Sequence, residues 1–417
     1  MSEARILADA PWFRSRPTSR VLALLNGGGE EARVVGGAVR NALLGLAVAD
    51  IDIATTALPQ EVIRRAEAAG VKSVPTGIEH GTVTLVLDKH PFEVTTLRED
   101  TETFGRKAKV AFGRDWMRDA ERRDFTINGL SVDAAGRVHD YVGGLADIAE
   151  RRVRFIGNPA ERIAEDYLRI LRFFRIHAAY GTGEPDRAGY LACIGGRAGL
   201  ASLSAERVRM EMLKLMTASR AAASLVAMAD GGLLQQIIGG VAYAGPLAAM
   251  VEIERMLGLP ADATRRLGAL TVAVTEDAQR VAARLRLSNA EAKALASMAD
   301  GWWHVAAMDE AAAKRLLYRI GADAYRDRLM LAWARFRGDD GAGWRQRADL
   351  PQRWSAPRFP LKAADFIARG IAEGPALGHV LAIAENAWLA AGFPLEASAV
   401  AGIADQTVER FTREHRL

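Results

Sequence analysis

The sequence predicts an α+β protein: a small mixed or antiparallel sheet with helices at its N-terminal end, then an all-helical remainder. Two observations carry that expectation. Over residues 33–140, short β-like runs alternate with turns and brief helical stretches. From Pro159 onward helical spacing runs nearly without interruption, rich in Ala, Leu and Arg. At 417 residues, half of them apolar, the chain is too long for one typical domain. The expected division is a head over 1–145, a neck over 146–200 and a helical body and tail over 201–417.

Taken in order, Val34-Val35 runs as a strand into the Gly36-Gly37 turn, and a short helix over 38–44 ends at Gly45. The stretch 50–53 alternates polar and apolar, as a half-buried strand does. A helix over 59–69 has Pro59 in its first turn and Gly70 behind it. Residues 82–87 and 92–97 are strand-like runs around Asp88-Lys89-His90-Pro91, a hairpin pattern. Farther on, Ser204 stands as N-cap before a helix reaching Ala218. Gly231-Gly232, Gly239-Gly240, Pro260, Gly301 and Gly338 divide the rest. Pro351, Pro357 and Pro360 mark residues 350–360 as a connector. Trp302 and Trp303 are expected in the core.

The lone cysteine, Cys193, excludes an internal disulfide and reads as a buried thiol. That points to a reducing compartment, the cytoplasm. The most apolar run, 376–393, is interrupted by His379, Glu385 and Asn386, so it reads as a buried helix rather than a membrane span. The N-terminus lacks the apolar core of a secretion signal. A formal charge of +4 says little about partners. The clustering of Arg106, Lys107, Lys109, Arg114, Arg118, Arg122 and Arg123, of Arg151, Arg152 and Arg154, and of Arg162, Arg169, Arg172 and Arg175 says more. Such groups form either a phosphate-binding footprint or solvated faces with acidic neighbours.

Three blocks carry chemistry. In the first, Gly36-Gly37 lies between strand and helix, where backbone N–H groups approach a phosphate without Cβ interference. Arg40, one turn on, adds a charge-assisted bond to the same anion. Asp50 and Asp52 follow; on a strand, residues i and i+2 share a face. Two carboxylates so placed repel each other unless a cation stands between them, and their hard oxygens suit magnesium. Alone the pair reads as two solvated acids on an edge strand; following the Gly36-Gly37 turn and Arg40, in strand–turn–helix–strand order, it reads as a metal pair. Glu93 is a candidate third carboxylate: if Phe92, Val94 and Thr96 pack inward, Glu93 faces the open side with the aspartates. It also reads as an exposed glutamate of no consequence.

The second block is Arg122-Arg123-Asp124-Phe125-Thr126-Ile127-Asn128, able to bind a triphosphate and sugar or to form an Arg123–Asp124 ion pair. In the third, Asp166, Arg169, Arg172 and Arg175 recur every third residue, a stripe along a helix. For an isolated helix that pattern is ordinary salt bridging.

In this order the blocks resemble the class II tRNA nucleotidyltransferase and bacterial poly(A) polymerase family, within the wider polymerase-β-like nucleotidyltransferases. The resemblance covers roughly 33–180. It extends weakly through Tyr141-Val142-Gly143-Gly144, similar to the family's hinge, and Ser204-Ala205-Glu206-Arg207. It implies a polymerase-β-like head followed by a helical neck, body and tail. It implies that Gly36, Gly37 and Arg40 contact the triphosphate and that Asp50 and Asp52 hold Mg2+. Arg123 would contact the nucleotide, with Asp124 at the sugar. Asp166 and Arg169 would read the base, with Arg172 and Arg175 in support. Residues 98–110 resemble the family's flexible loop, which goes with adding A as well as C. Asn41 departs from the aspartate common after the arginine, and Gly129 from the usual alanine.

The implied activity is template-independent addition of C, C and A from CTP and ATP to the 3′ end of tRNA, by two-metal chemistry. Adding A tails to RNA shares that chemistry; the lack of a long basic C-terminal tail favours tRNA as partner. A non-catalytic RNA-binding module would have lost the metal carboxylates, yet both are present. No His-Asp phosphohydrolase motif appears in the second half.

Overall fold

The computed structural model describes residues 6–104, 107–336 and 341–414, so Arg106 of the first basic cluster lies outside the described residues. Its strands are β1 (Ala32–Val35), β2 (Asp52–Thr55), β3 (Lys72–Gly77), β4 (Thr82–Leu87), β5 (His90–Thr96), β6 (Arg98–Phe104), β7 (Lys107–Phe112), β8 (Ser131–Val132) and β9 (Val138–His139). Seven of them form a mixed sheet in the order β3-β4-β5-β2-β1-β8-β9. Only the β2–β5 pair is parallel; the other neighbours are antiparallel. The expected α+β head is therefore present.

Alternation builds β4 and β5: Val83, Leu85 and Leu87, and Phe92, Val94 and Thr96, are buried while their neighbours are not. The hairpin turn is only Asp88-Lys89, both at positive φ (50° and 68°), the pattern of a two-residue turn matched to sheet twist. The expected four-residue connection is thus shorter, because β5 already begins at His90. β3 was not evident in the sequence. It is an edge strand with little burial, and its register shifts between Val74 and Gly77, around Pro75. An edge with a bulge is where a strand tolerates proline. Residues 98–110, expected as a flexible loop, lie largely in β6 and β7, which pair as a separate two-stranded antiparallel sheet.

The chain divides into two compact units. The first holds the chain up to Ala244, with 261–263 and 280–288. Here the buried rings of Phe125, Phe155 and Phe173 pack in series, at 4.9 Å and 5.3 Å between centroids. That core joins the segment after the sheet to the helix Leu168–Tyr180. Asp147, fully buried, accepts from Thr126 Oγ1 (2.6 Å) and pairs with Arg152 and Arg154. Those two arginines are thus structural rather than part of a free phosphate footprint. Cys193 is buried, and burial pushes its thiol far up. Ser204 sits at the N-cap of Ala205–Met216, but its side chain makes no capping bond.

The second unit comprises 245–260, 264–279 and 289 onward. Its core gathers Tyr325, Leu329, Met330, Trp333 and Trp344, the last two rings stacked. Trp302 packs against it, but Trp303, expected inside, is 44% exposed. The expected connector opens with the short helix Leu350–Arg353 and is non-helical through Leu361. Among the described residues no helix is long and apolar enough to cross a membrane.

Candidate active site

One cleft of about 440 Å3 in the first unit is lined by Gly36, Gly37, Arg40, Asp52, Arg123, Asp124, Asp166, Arg169, Arg172 and Arg175. Residues from all three sequence blocks thus meet in one place. The volume is in the range that small-molecule sites occupy.

The floor starts at Gly36, whose φ of 68° and ψ of −123° suit glycine, ahead of the helix Gly37–Leu43. A Cβ there would lie 3.4 Å from Arg123 Nη1, so the turn abuts that guanidinium. Arg40 is buried and held entirely by neutral groups. Its Nη1 donates to Asn128 Oδ1 (2.6 Å), its Nε and Nη2 to Asn41 Oδ1 (3.2 and 2.9 Å), and its Nη2 also to the Tyr180 hydroxyl (2.7 Å). The guanidinium stacks 3.7 Å from the Tyr180 ring centroid. Burial pulls its pKa below the usual arginine value, and Arg175 nearby adds to that against Tyr180 and Asp124.

Asp52 opens β2 and pairs in register with Glu93 on parallel β5, so both carboxylates sit on the open face. The expected orientation of Glu93 is observed. Asp50 is placed differently: the strand begins at Asp52, and Asp50 belongs to the irregular exposed segment ahead of it. The i, i+2 strand argument therefore does not apply to the pair. Asp50 and Glu93 do not line the cleft itself, yet both act on Asp52. Partial desolvation first, then the Glu93 carboxylate, raise the Asp52 pKa; Arg123 offsets this in part and Asp50 adds to it. Among the described residues no three His, Cys, Asp or Glu side chains are gathered closely enough to hold a metal ion. Asp52 with its acidic neighbours still fits a divalent cation: the donors are hard oxygens, and their repulsion is what such a charge relieves.

The second block does not form an Arg123–Asp124 pair. Arg123 and Arg122 both bond Asp119 instead (3.0 Å for Arg123), and that buried carboxyl stays below the usual range because the two cations outweigh its burial. Asp124 has both oxygens engaged. Oδ2 accepts from Arg172 Nε and Nη2 (2.8 and 2.5 Å), and Oδ1 from Phe125 N–H and Asn128 Nδ2 (2.9 and 3.1 Å). Burial works to raise its pKa; Arg172 and Asn128 override that and hold it low. The expected place at the sugar is thus taken by internal donors. Arg175 Nε donates to buried Glu211 (2.5 Å), which also lies 3.9 Å from Arg172.

In the third block the expected helical stripe is broken at its first member. Asp166 has extended backbone (φ −154°, ψ 107°) at the end of Pro159–Glu165, and the next helix begins at Leu168. Its own carboxylate accepts from Leu168 N–H (3.1 Å), a local bond that favours a turn over continued helix. Oδ2 accepts from Arg207 Nη2 (2.7 Å). Arg169 bonds Glu165 and the Arg162 carbonyl.

Asn128, Tyr180, Arg207 and Glu211 were not singled out from sequence as site residues. Asn128 stands four residues after Asp124 in the same block, and Arg207 follows Ser204 in the weaker resemblance; Tyr180 and Glu211 had no comparable pattern. Gly129 has a packing reason: a Cβ there would lie 2.6 Å from Val142 Cγ2.

Sheet, turn and cleft define a nucleotidyltransferase. Residues 32–154 match the family model described as the poly A polymerase head domain, and 197–244 that of a probable RNA and SrmB-binding site of polymerase A. The chain is 34% identical to the CCA tRNA nucleotidyltransferase 1, mitochondrial, of Danio rerio over 369 residues, spanning 86% of this chain and 83% of that protein. It is 32% identical to the CCA-adding enzyme of Limosilactobacillus fermentum, spanning 88% and 90%. The Bacillus stearothermophilus CCA-adding enzyme in complex with CTP superposes with a TM-score of 0.73 at 26% identity, covering 97% of this chain and 99% of that one. The chain belongs to the CCA tRNA nucleotidyltransferase family.

Proposed function

We propose that this enzyme adds C, C and A to the 3′ end of tRNA from CTP and ATP, without a nucleic-acid template, using a divalent metal that we take to be Mg2+. The observation that carries this reading is the single cleft lined by Asp52, Arg40, Arg123, Asp166 and Arg169. We assign it to the cytoplasm, where a chain with one buried cysteine needs no disulfide.

The tRNA 3′-hydroxyl attacks the α-phosphate; the new O–P bond forms as the bond to pyrophosphate breaks. Asp50 and Asp52 would hold the metal, with Glu93 beside Asp52 as a further acceptor. Bound there, a divalent cation would lower the pKa of the attacking hydroxyl and offset charge on the departing pyrophosphate. Arg40 has only neutral partners, so its charge meets the triphosphate at Gly36-Gly37. Arg123 adds positive potential beside it. Asp124, Arg172, Arg175 and Glu211 brace the wall rather than touch the reacting atoms.

Selectivity follows from donors and acceptors. Cytosine and adenine each carry an exocyclic amine beside an unprotonated ring nitrogen. Asp166 accepts from the amine and Arg169 donates to the ring nitrogen. Uracil and guanine reverse this pattern, so a carbonyl would face the Asp166 carboxylate and a ring N–H the Arg169 guanidinium, at about 1–3 kcal/mol per mismatched group.

The test is incubation of tRNA lacking its CCA end with single labelled nucleotides. CTP incorporation followed by one A supports the reading; long A tails from ATP alone would overturn it. With all four nucleotides, Asp166→Ala should lose preference for C and A; retained preference removes the base-reading assignment.

A further inference from the structure

We propose that Arg220 is a positioning residue for Arg40: from a distant segment of the chain it fastens the helix end that carries Tyr180, and so sets nucleotide affinity without touching the nucleotide. The inference rests on the assignment of Arg40 to the triphosphate. Tyr180 is the last residue of the helix Leu168–Tyr180. Its hydroxyl accepts from Arg40 Nη2 (2.7 Å), and its ring centroid lies 3.7 Å from the guanidinium. The last carbonyls of a helix have no partner within it, and an end left so frays. Here partners come from the short segment between the helices Ala205–Met216 and Ala221–Asp230. The Ala178 carbonyl accepts from Arg220 N–H (3.0 Å) and from Ser219 Oγ (3.1 Å). The Arg220 guanidinium reaches on to the chain leaving the helix: Nη1 donates to Gly181 O (3.1 Å) and Nη2 to Gly183 O (2.7 Å). A cation at this end also suits the negative pole of the helix.

The chain leaves that helix under close constraint. A Cβ on Gly181 would lie 2.4 Å from His177 Nδ1, so the backbone turns hard against the imidazole. The buried His177 ring also hydrogen-bonds the Gly183 backbone, and Thr182 N–H donates to the Arg151 carbonyl (3.0 Å). Arg220 ties backbone on both sides of the helix end, Ala178 within it and Gly181 and Gly183 beyond. It does not line the nucleotide cleft, so its influence there has to pass through Tyr180. Arg40 is sensitive to such a route. Its charge is aimed by Asn128, Asn41 and Tyr180, all neutral. Tyr180 supplies both a bond and a stacked ring, so a shift of the last helical turn disturbs two contacts at once.

The experiment measures kcat and KM for each of the four nucleotides with the full-length enzyme and tRNA lacking its CCA end. Arg220→Met should raise KM for CTP and ATP about three- to fivefold, as expected for loosening one hydrogen bond. It should keep kcat and the preference for C and A over U and G, because Arg40 meets the triphosphate whichever base it carries. Arg220→Lys should recover part of the loss, since an ammonium can still reach one of the two carbonyls. Coupling to Tyr180 is the readout that general destabilisation would not move. Tyr180→Phe added to Arg220→Met should raise KM by less than Tyr180→Phe does alone, since the phenol is already displaced. An unchanged KM in folded Arg220→Met overturns the proposal, and so do effects of the two changes that simply multiply, or a loss confined to base preference. If Arg220→Met does not fold, Arg220→Gln takes its place under the same criteria. Should Arg40→Met leave KM for both nucleotides unchanged, the assignment of Arg40 to the triphosphate has failed. If Arg40→Met raises KM and Arg220→Met does not, only the present inference has.

Discussion

Replacing Asp124 by asparagine changes one oxygen to an NH2 group and little else in shape, so it isolates what the charge does. All four groups bonding Asp124 are donors: two from Arg172, one from Asn128 and the Phe125 N–H. Whichever way the amide turns, its NH2 faces two of them. The variant therefore loses two bonds, either both from Arg172 or those from the Phe125 N–H and Asn128, and in either case leaves that guanidinium without its carboxylate charge. Breaking a buried pair from one side costs about 3–5 kcal/mol. Here the Arg172 side chain is 35% exposed and Glu211 stands 3.9 Å away, so water and a second anion reduce this to about 2–3 kcal/mol. For a unit of about 250 residues that is a fall in Tm of about 4–12 °C. The pH dependence has a definite sign. The folded-state pKa of Asp124 lies below its ordinary 3.8, so its stabilisation is complete above that value and is lost as pH falls through the folded pKa. The gap between wild type and Asp124→Asn should be full at pH 7 and close in acid. Thermal unfolding followed by circular dichroism from pH 7 down to pH 3 measures it. A loss under about 1 kcal/mol at neutral pH, or a gap that widens in acid, refutes the reasoning.

Two further variants separate the site from the rest of the molecule. Tyr180→Phe removes the 2.7 Å bond to Arg40 but keeps the ring beneath it; steady-state assays should show KM for both nucleotides raised about three- to tenfold with discrimination intact. In the second unit, Glu254 is 1% exposed and bonds Arg265 (3.1 Å) and Arg266 (2.7 Å). Glu254→Gln should destabilise that unit by about 3–5 kcal/mol, seen as an earlier calorimetric transition, and leave KM for CTP unchanged.

How far the sequence could be read depended on how local each interaction is. Alternation over β4 and β5 depends on neighbours in the chain, so the hairpin and the outward face of Glu93 were both legible. β3 breaks that pattern, because an edge strand with a bulge at a proline needs no buried face. Spacing alone puts Asp166 on a helical stripe; it does not register that an aspartate's own carboxylate can capture a nearby N–H and end the helix. The polar wall of the cleft was the least legible part. Arg40 meets Asn128 and Tyr180 across 88 and 140 residues, and nothing periodic links them.

Asn41 shows what the two levels give together. The sequence marks it as a departure from the family's aspartate, and if that aspartate orients Arg40, asparagine there would loosen it. In the structure Asn41 Oδ1 still accepts from both Nε and Nη2 of Arg40, while its own Nδ2 is tied to the Ala47 carbonyl (3.0 Å). Orientation is therefore kept and only the negative charge is lost. A buried guanidinium bonded to two amides and a phenol carries the desolvation cost of its charge without a bonded anion to offset it. Under the proposed assignment of Arg40 to the triphosphate, that anion would come from the substrate, and the substitution would shift charge compensation from the protein to the nucleotide.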